Sequence, residues 1–163
     1  MDLGLKGKKA IITGGSKGIG LASAHALADE GADVAICSRN IDDVNSALEA
    51  LKGKGINAIG GAVDVADGDE LKAWIASAIS DLGGLDILVP QVSAGGGNPS
   101  EEGWAANFET DIMGTVRSVE ASLEALRESN GSIVINQAVR DKDFDHTTEF
   151  VPVSAGQLSL IHI

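Results

Sequence analysis

The stretch Thr13-Gly14-Gly15-Ser16-Lys17-Gly18-Ile19-Gly20 decides the fold of this chain. An apolar run typical of a β-strand precedes it at residues 9–12, and the apolar periodicity of a helix follows it at residues 21–30. Glycines in such a turn let a pyrophosphate approach the unpaired N–H groups at the start of the helix, where the helix dipole also favours an anion. The turn therefore predicts a dinucleotide site, and the alternative is a tight turn that only packs the helix against the strand. The candidate ligand contacts within it are Gly14, Ser16, Lys17, Gly18, Ile19 and Gly20.

The composition favours one compact domain over residues 1–163, with 44% hydrophobic residues and 21 glycines. A formal charge of −12 argues against a nucleic-acid partner, because that binding needs a basic surface to neutralise phosphates. No apolar run approaches the roughly 18 residues of a membrane span, so we expect a cytoplasmic protein that does not bind membranes. Cys37, the only cysteine, lies in an apolar run. This predicts a buried, inert thiol rather than a nucleophile or a metal ligand, and no metal site is expected.

Strand and helix patterns alternate along the rest of the chain. The first helix has Ile19, Ala22 and Ala26 on one face, and Trp74 falls on the apolar face of a later helix, which predicts a core position. The alternation predicts an α/β fold with a doubly wound parallel sheet between two layers of helices. The further predicted strands are residues 32–37, 58–63, 85–89 and 132–136, and the further predicted helices are residues 41–52, 71–82 and 104–128.

Several polar or glycine-rich segments follow directly after predicted strands. They are the glycine turn, Ser38-Arg39, Asp64-Val65 and the loop after Val89. Because parallel strands end at one edge of a sheet, where ligands of doubly wound sheets bind, these segments are expected to converge on a single site.

The motifs resemble those of the short-chain dehydrogenase/reductase family, the NAD(P)-dependent oxidoreductases with a single Rossmann domain. The resemblance is carried by Thr-Gly-x-x-x-Gly-x-Gly at 13–20, Asp64-Val65, Leu-Asp-Ile-Leu-Val at 85–89 and Gly-Ser-Ile-Val at 131–134. It implies a Rossmann fold and hydride transfer between a nicotinamide cofactor and a small alcohol or ketone. It also implies a homodimer or homotetramer, because the long helix at 104–128 pairs between subunits in this family.

The resemblance also implies a choice of cofactor. In the family, an acidic residue that ends the second strand binds the adenosine ribose of NAD, but here that position is Ser38. Arg39 and Lys17 could pair with a 2′-phosphate, which favours NADP over NAD; the alternative is that both are solvated surface cations. Asp64 matches the family's adenine contact, with Val65 packing on the ring. The resemblance also assigns Gln91 to the cofactor site, in a loop that is Asn-rich in the family.

The catalytic positions of the family are replaced in this sequence. The family uses a Tyr, a Lys four residues later, a Ser after the fifth strand and an Asn on the long helix. These positions hold Val153, Gln157, Ala138 and Asp111, and the chain contains no tyrosine. An alternative general acid is His146, which lies in a loop with acidic neighbours. Those neighbours are Asp141, Asp143 and Asp145.

The sequence leaves three interpretations of function open. The chain is an NADP-dependent oxidoreductase whose sequence is incomplete or altered at the site, a nucleotide-binding pseudoenzyme, or a structural subunit that binds no ligand. The intact glycine turn and Asp64 disfavour the third. Family members continue with further strands where this chain ends at residues 158–163, an apolar stretch that predicts a truncated member and a surface for self-association.

Overall fold

The computed structural model describes residues 3–95 and 100–135. Strands and helices alternate through these residues, as the sequence predicts. The strands are β1 (Lys9–Thr13), β2 (Asp33–Ser38), β3 (Ala58–Ala62), β4 (Ile87–Pro90) and β5 (Ser132–Ile133). The helices are α1 (Gly18–Asp29), α2 (Ile41–Lys52), α3 (Gly68–Leu82), α4 (Glu101–Asn107) and α5 (Gly114–Ser129), with a π-helical segment, Phe108–Met113, joining α4 to α5.

The five strands form one parallel sheet in the order β3-β2-β1-β4-β5. Successive side chains of β1 point to opposite faces, so Ile12 packs with α1 and α2 whereas Ile11 packs with α3 and α5. The chain changes direction across the sheet between β3 and β4, which puts the switch in strand order beside β1. The predicted doubly wound, three-layer α/β architecture is confirmed.

Local signals explain where the helices begin and end. The side chain of Asn40 caps α2 and that of Asp67 caps α3, each accepting two backbone N–H groups of the first turn. At the end of α3, Gly83 adopts the left-handed conformation that is common after helices. The bounds of α2 are those predicted from the sequence.

The face of α1 that carries Ile19, Ala22 and Ala26 is not the face that packs on the sheet. Ile19 is 48% exposed, and the buried residues of the helix are Gly20, Ala24 and Ala28. Small side chains at these three positions let the helix lie close to the sheet, so side-chain size, and not hydrophobicity alone, decides which face is inside.

Two further predictions are adjusted by the structure. The fifth strand covers only Ser132–Ile133, whereas its predicted end at residue 136 lies outside the described residues. The long helical run is confirmed from Glu101 to Ser129, but the π-helical segment interrupts it. The hydroxyl of Thr115 donates to the backbone carbonyl of Asp111 (2.7 Å), a bond from side chain to backbone of the kind that bends helices.

Trp74 is half-buried and packs with the core beside Gly61, consistent with its predicted position.

Candidate functional site

The carboxyl ends of β1 to β4 lie side by side. Thr13 of β1 is in register with Cys37 of β2 on one side and with Pro90 of β4 on the other. Ser38 in turn is in register with Ala62 of β3. The segments that the sequence placed after these strands therefore share one edge of the sheet, next to the switch in strand order.

The glycine turn between β1 and α1 is closely packed at one end and open at the other. A Cβ atom on Gly20 would overlap the carbonyl of Gly14, so only glycine lets the helix start this close to the turn. Gly18 has a φ of +54°, and among the described residues no atom lies within 4 Å of the position its Cβ would take. At Gly18 the turn thus presents backbone, with no side chain, to open space.

The N-terminus of α1 has no side-chain cap within the described residues, and its first turn contains no acidic residue. The other helices that begin after a loop are capped by Asn40, Asp67 and Ser100. The first N–H groups of a helix have no partner within the helix, and they carry the positive end of its dipole. This end of α1 therefore suits an anionic ligand group.

A pair of serines joins the glycine turn to the end of β2. The buried Ser16 donates its hydroxyl to Ser38 Oγ at 2.8 Å, and the backbone N–H of Gly15 donates to the carbonyl of Cys37 at 3.2 Å. These contacts hold Ser38 beside the turn, where the sequence places the ribose contact.

The two predicted phosphate-binding cations have different surroundings. Arg39 is exposed and forms no ion pair within the described chain. Lys17 pairs with Asp43 in the first turn of α2, with 2.7 Å between Nζ and Oδ2. Sequence reasoning missed Asp43, and the one available signal was an acidic residue shortly after the end of β2.

Asp64 and Val65 differ in their exposure to solvent. Asp64 is exposed, and its Oδ1 accepts the backbone N–H of Ala66 at 3.0 Å. Val65 is 3% exposed and belongs to the core next to Gly114. Asp64 is thus the accessible member of the pair, and its contact with adenine, like that of Val65, stays a prediction.

Gln91 closes the site on the β4 side. Its backbone N–H donates to both the carbonyl and the hydroxyl of Thr13, each at 3.2 Å. Its side-chain Oε1 is buried and has no hydrogen-bond partner in the part of the chain that the structure describes. Because an unpaired buried acceptor costs about 1–3 kcal/mol, a ligand N–H that reached it would be bound favourably.

Asp111 is buried on the π-helical segment and ties this segment to the loop after β4. Its Oδ1 accepts the backbone N–H of Ala94 at 2.7 Å, and its Oδ2 accepts the hydroxyl of Ser93 at 3.4 Å. Burial raises the pKa of the Asp111 carboxyl above its ordinary value, against the opposing effect of these two hydrogen bonds. The resemblance drew attention to this position, but its two loop contacts could not be read from the sequence.

The remaining predicted catalytic positions lie outside the described residues. They are Ala138, Val153 and Gln157, together with the alternative acid His146 and its neighbours Asp141, Asp143 and Asp145. Of the predicted catalytic positions, Asp111 alone lies within the described residues.

The side chain of Cys37 belongs to the core. It is buried within β2, and burial raises the pKa of its thiol to about 12. The prediction of a buried thiol is confirmed. In the described parts of the chain, no helix combines the length and the hydropathy needed to cross a membrane.

Over residues 8–140, the sequence matches the profile of the family described as short chain dehydrogenase. A similar curated protein is isoepoxydon dehydrogenase from Penicillium expansum, which is 33% identical over 166 residues. That alignment covers 97% of this chain and 63% of the relative, so the chain spans less than two thirds of the relative's length.

Solved structures show the same likeness in three dimensions. L-sorbose reductase from Gluconobacter frateurii, in complex with NADPH and L-sorbose, has a TM-score of 0.87 and 32% identity; 99% of this chain and 63% of that one are covered. Carveol dehydrogenase from Mycobacterium avium, in complex with NAD, has a TM-score of 0.75 and 26% identity. The match covers 80% of this chain and 54% of that one.

Proposed function

The chain belongs to the short-chain dehydrogenase/reductase family, and on that premise we propose that it binds a nicotinamide dinucleotide and transfers hydride between it and a small alcohol or ketone. The observation that carries the proposal is the N-terminus of α1, which is uncapped within the described chain and opens from a glycine turn at the strand ends. We further propose that residues 1–163 form one dinucleotide-binding domain.

The residues at the strand ends fit the parts of such a cofactor. Backbone N–H groups of residues 16–20 would hold the pyrophosphate, Ser38 the adenosine ribose and Asp64 the adenine. The buried oxygen of Gln91 would accept a hydrogen bond from the cofactor on the β4 side of the site. When bound, the nicotinamide supplies or accepts the hydride, and the protein orients it.

We propose NADP as the preferred cofactor. Ser38 stands where a carboxylate would repel a 2′-phosphate, and the exposed Arg39 follows it directly. The guanidinium of an arginine binds phosphate oxygens with two parallel hydrogen bonds, which suits this role better than a point charge does. The related structures contain NADPH in one case and NAD in the other, so the preference has to be tested on this chain.

Arg39→Ala is expected to weaken NADPH binding about 10- to 100-fold and to leave NADH binding nearly unchanged. A charge-assisted hydrogen bond contributes about 1.5–3 kcal/mol, and only NADPH carries the phosphate that receives it. Parallel calorimetric titrations with the two cofactors measure the effect. Arg127→Ala, which removes the same charge from the last turn of α5, is the control. Equal losses for both cofactors would refute the preference.

We also propose that the chain forms a homodimer or homotetramer through the outer face of the helical run from Glu101 to Ser129. Trp104 and Phe108 lie one helical turn apart on this run and are 46% and 51% exposed. Light scattering at tens of micromolar is expected to give at least twice the chain mass, and Phe108→Glu is expected to reduce it. Leu3→Glu, at an exposed leucine on another surface, is the control. A monomeric mass for the unmodified chain would contradict the proposal.

A further inference from the structure

Lys17 already has a negative partner. Its ammonium lies 2.7 Å from Asp43 Oδ2, although its side chain is 73% exposed. Asp43 is held more firmly in place than Lys17. Its side chain is 28% exposed, and its backbone N–H donates to Asn40 Oδ1 in the cap of α2. The carboxylate is thus held by a helix, whereas the lysine that reaches it extends from a turn.

This ion pair lies where a 2′-phosphate would bind in the proposed function. The hydrogen bond between Ser16 and Ser38 keeps the glycine turn against the end of β2, so Lys17, which follows Ser16, is near the proposed ribose position. A 2′-phosphate bound here would have to draw Lys17 away from Asp43 or share it. In either case its negative charge would lie near the carboxylate of Asp43, whose backbone the cap of α2 keeps in place.

We propose that Asp43 is a specificity-determining residue that opposes NADPH binding by holding Lys17. The inference rests on the proposed function, since it concerns the same cofactor site. NADH has no 2′-phosphate and leaves the ion pair intact, so Asp43 acts on NADPH alone. The preference for NADPH then depends mainly on Arg39, with Lys17 contributing only when it leaves Asp43.

Asp43→Asn tests the inference, because it removes the charge and keeps the shape of the side chain. The variant is expected to bind NADPH roughly threefold to tenfold more tightly and NADH with unchanged affinity. A partly exposed ion pair holds its lysine only weakly, so releasing Lys17 gives a modest gain in affinity, to which removing the repulsion of the phosphate adds. Calorimetric titration with each cofactor gives both affinities.

Two more variants separate the ion pair from general charge effects. Asp42→Asn removes the same charge from the adjacent position, whose carboxylate forms no ion pair in the described chain, and is expected to change NADPH binding little. Lys17→Ala combined with Asp43→Asn is expected to lose most of the gain, because the gain requires a released lysine.

The outcomes distinguish a failure of the inference about Asp43 from a failure of the proposed function. A gain for NADPH alone that disappears without Lys17 supports the inference. Equal effects of Asp42→Asn and Asp43→Asn, a gain for both cofactors, or no gain at all would overturn it while leaving the proposed function in place. If the unmodified chain bound neither cofactor, the proposed function would fail, and the inference with it.

Discussion

Combining Val153→Tyr, Gln157→Lys and Ala138→Ser is expected to raise the rate of ketone reduction by NADPH about a hundredfold to ten-thousandfold. The family resemblance assigns these positions to the proton donor, the lysine that lowers its pKa and the serine that assists it. General acid catalysis alone contributes about a hundredfold to ten-thousandfold. Because such groups act as a unit, restoring all three should raise the rate by about as much as losing one of them lowers it, and not by the product of three such effects. NADPH absorbance with a panel of small ketones measures the rate.

Single substitutions are the controls for this restoration. Val153→Tyr alone is expected to recover little, since without the lysine its phenol keeps an ordinary pKa near 10. The NADPH affinity of the triple variant should rise only modestly, which shows that chemistry and not binding has changed. If the unmodified chain already matched the restored one, another acid would be at work, and His146 would be the first residue to replace. A restored chain that stayed slow would favour the nucleotide-binding pseudoenzyme.

The fold follows from local patterns that can be read along the chain. The bounds of α2 were predictable because Asn40 caps the helix, apolar residues recur at helical spacing and a glycine ends it. The inner face of α1 was not predictable from the sequence, because apolar residues lie on several faces of that helix. Only its contact with the sheet shows that Ala24 and Ala28 are inside. The π-helical segment carries Asp111, whose contacts with a loop 17 or 18 residues away no local pattern indicates.

The candidate site was predictable where a motif is continuous in sequence. The glycine turn and Ser38 could be placed at one edge because parallel strands end together. The pairing of Lys17 with Asp43 could not be predicted, since it depends on how closely the glycine turn approaches the start of α2 in space. The burial of Val65 was also hidden, because the residue follows a strand end yet packs against the helix that carries Gly114.

Gly18→Val is expected to abolish NADPH binding at concentrations that saturate the unmodified chain. The residue has a φ of +54°, a conformation that a β-branched side chain strongly disfavours, and the added side chain would project into the open space above the turn. That space is where the pyrophosphate would approach the N-terminus of α1. The helix itself should persist, as circular dichroism would show.

A calorimetric titration of NADPH into the unmodified chain, Gly18→Val and Gly55→Val tests the site most directly. Gly55 is a matched control, because it also has a positive φ, +80°, and no described atom lies within 4 Å of its Cβ position. It lies between α2 and β3, at the opposite ends of the strands from the glycine turn. The account predicts saturable binding near one NADPH per chain, retained by Gly55→Val and lost by Gly18→Val. Binding that survives Gly18→Val unchanged, or that both variants lose alike, would contradict a dinucleotide site on the glycine turn.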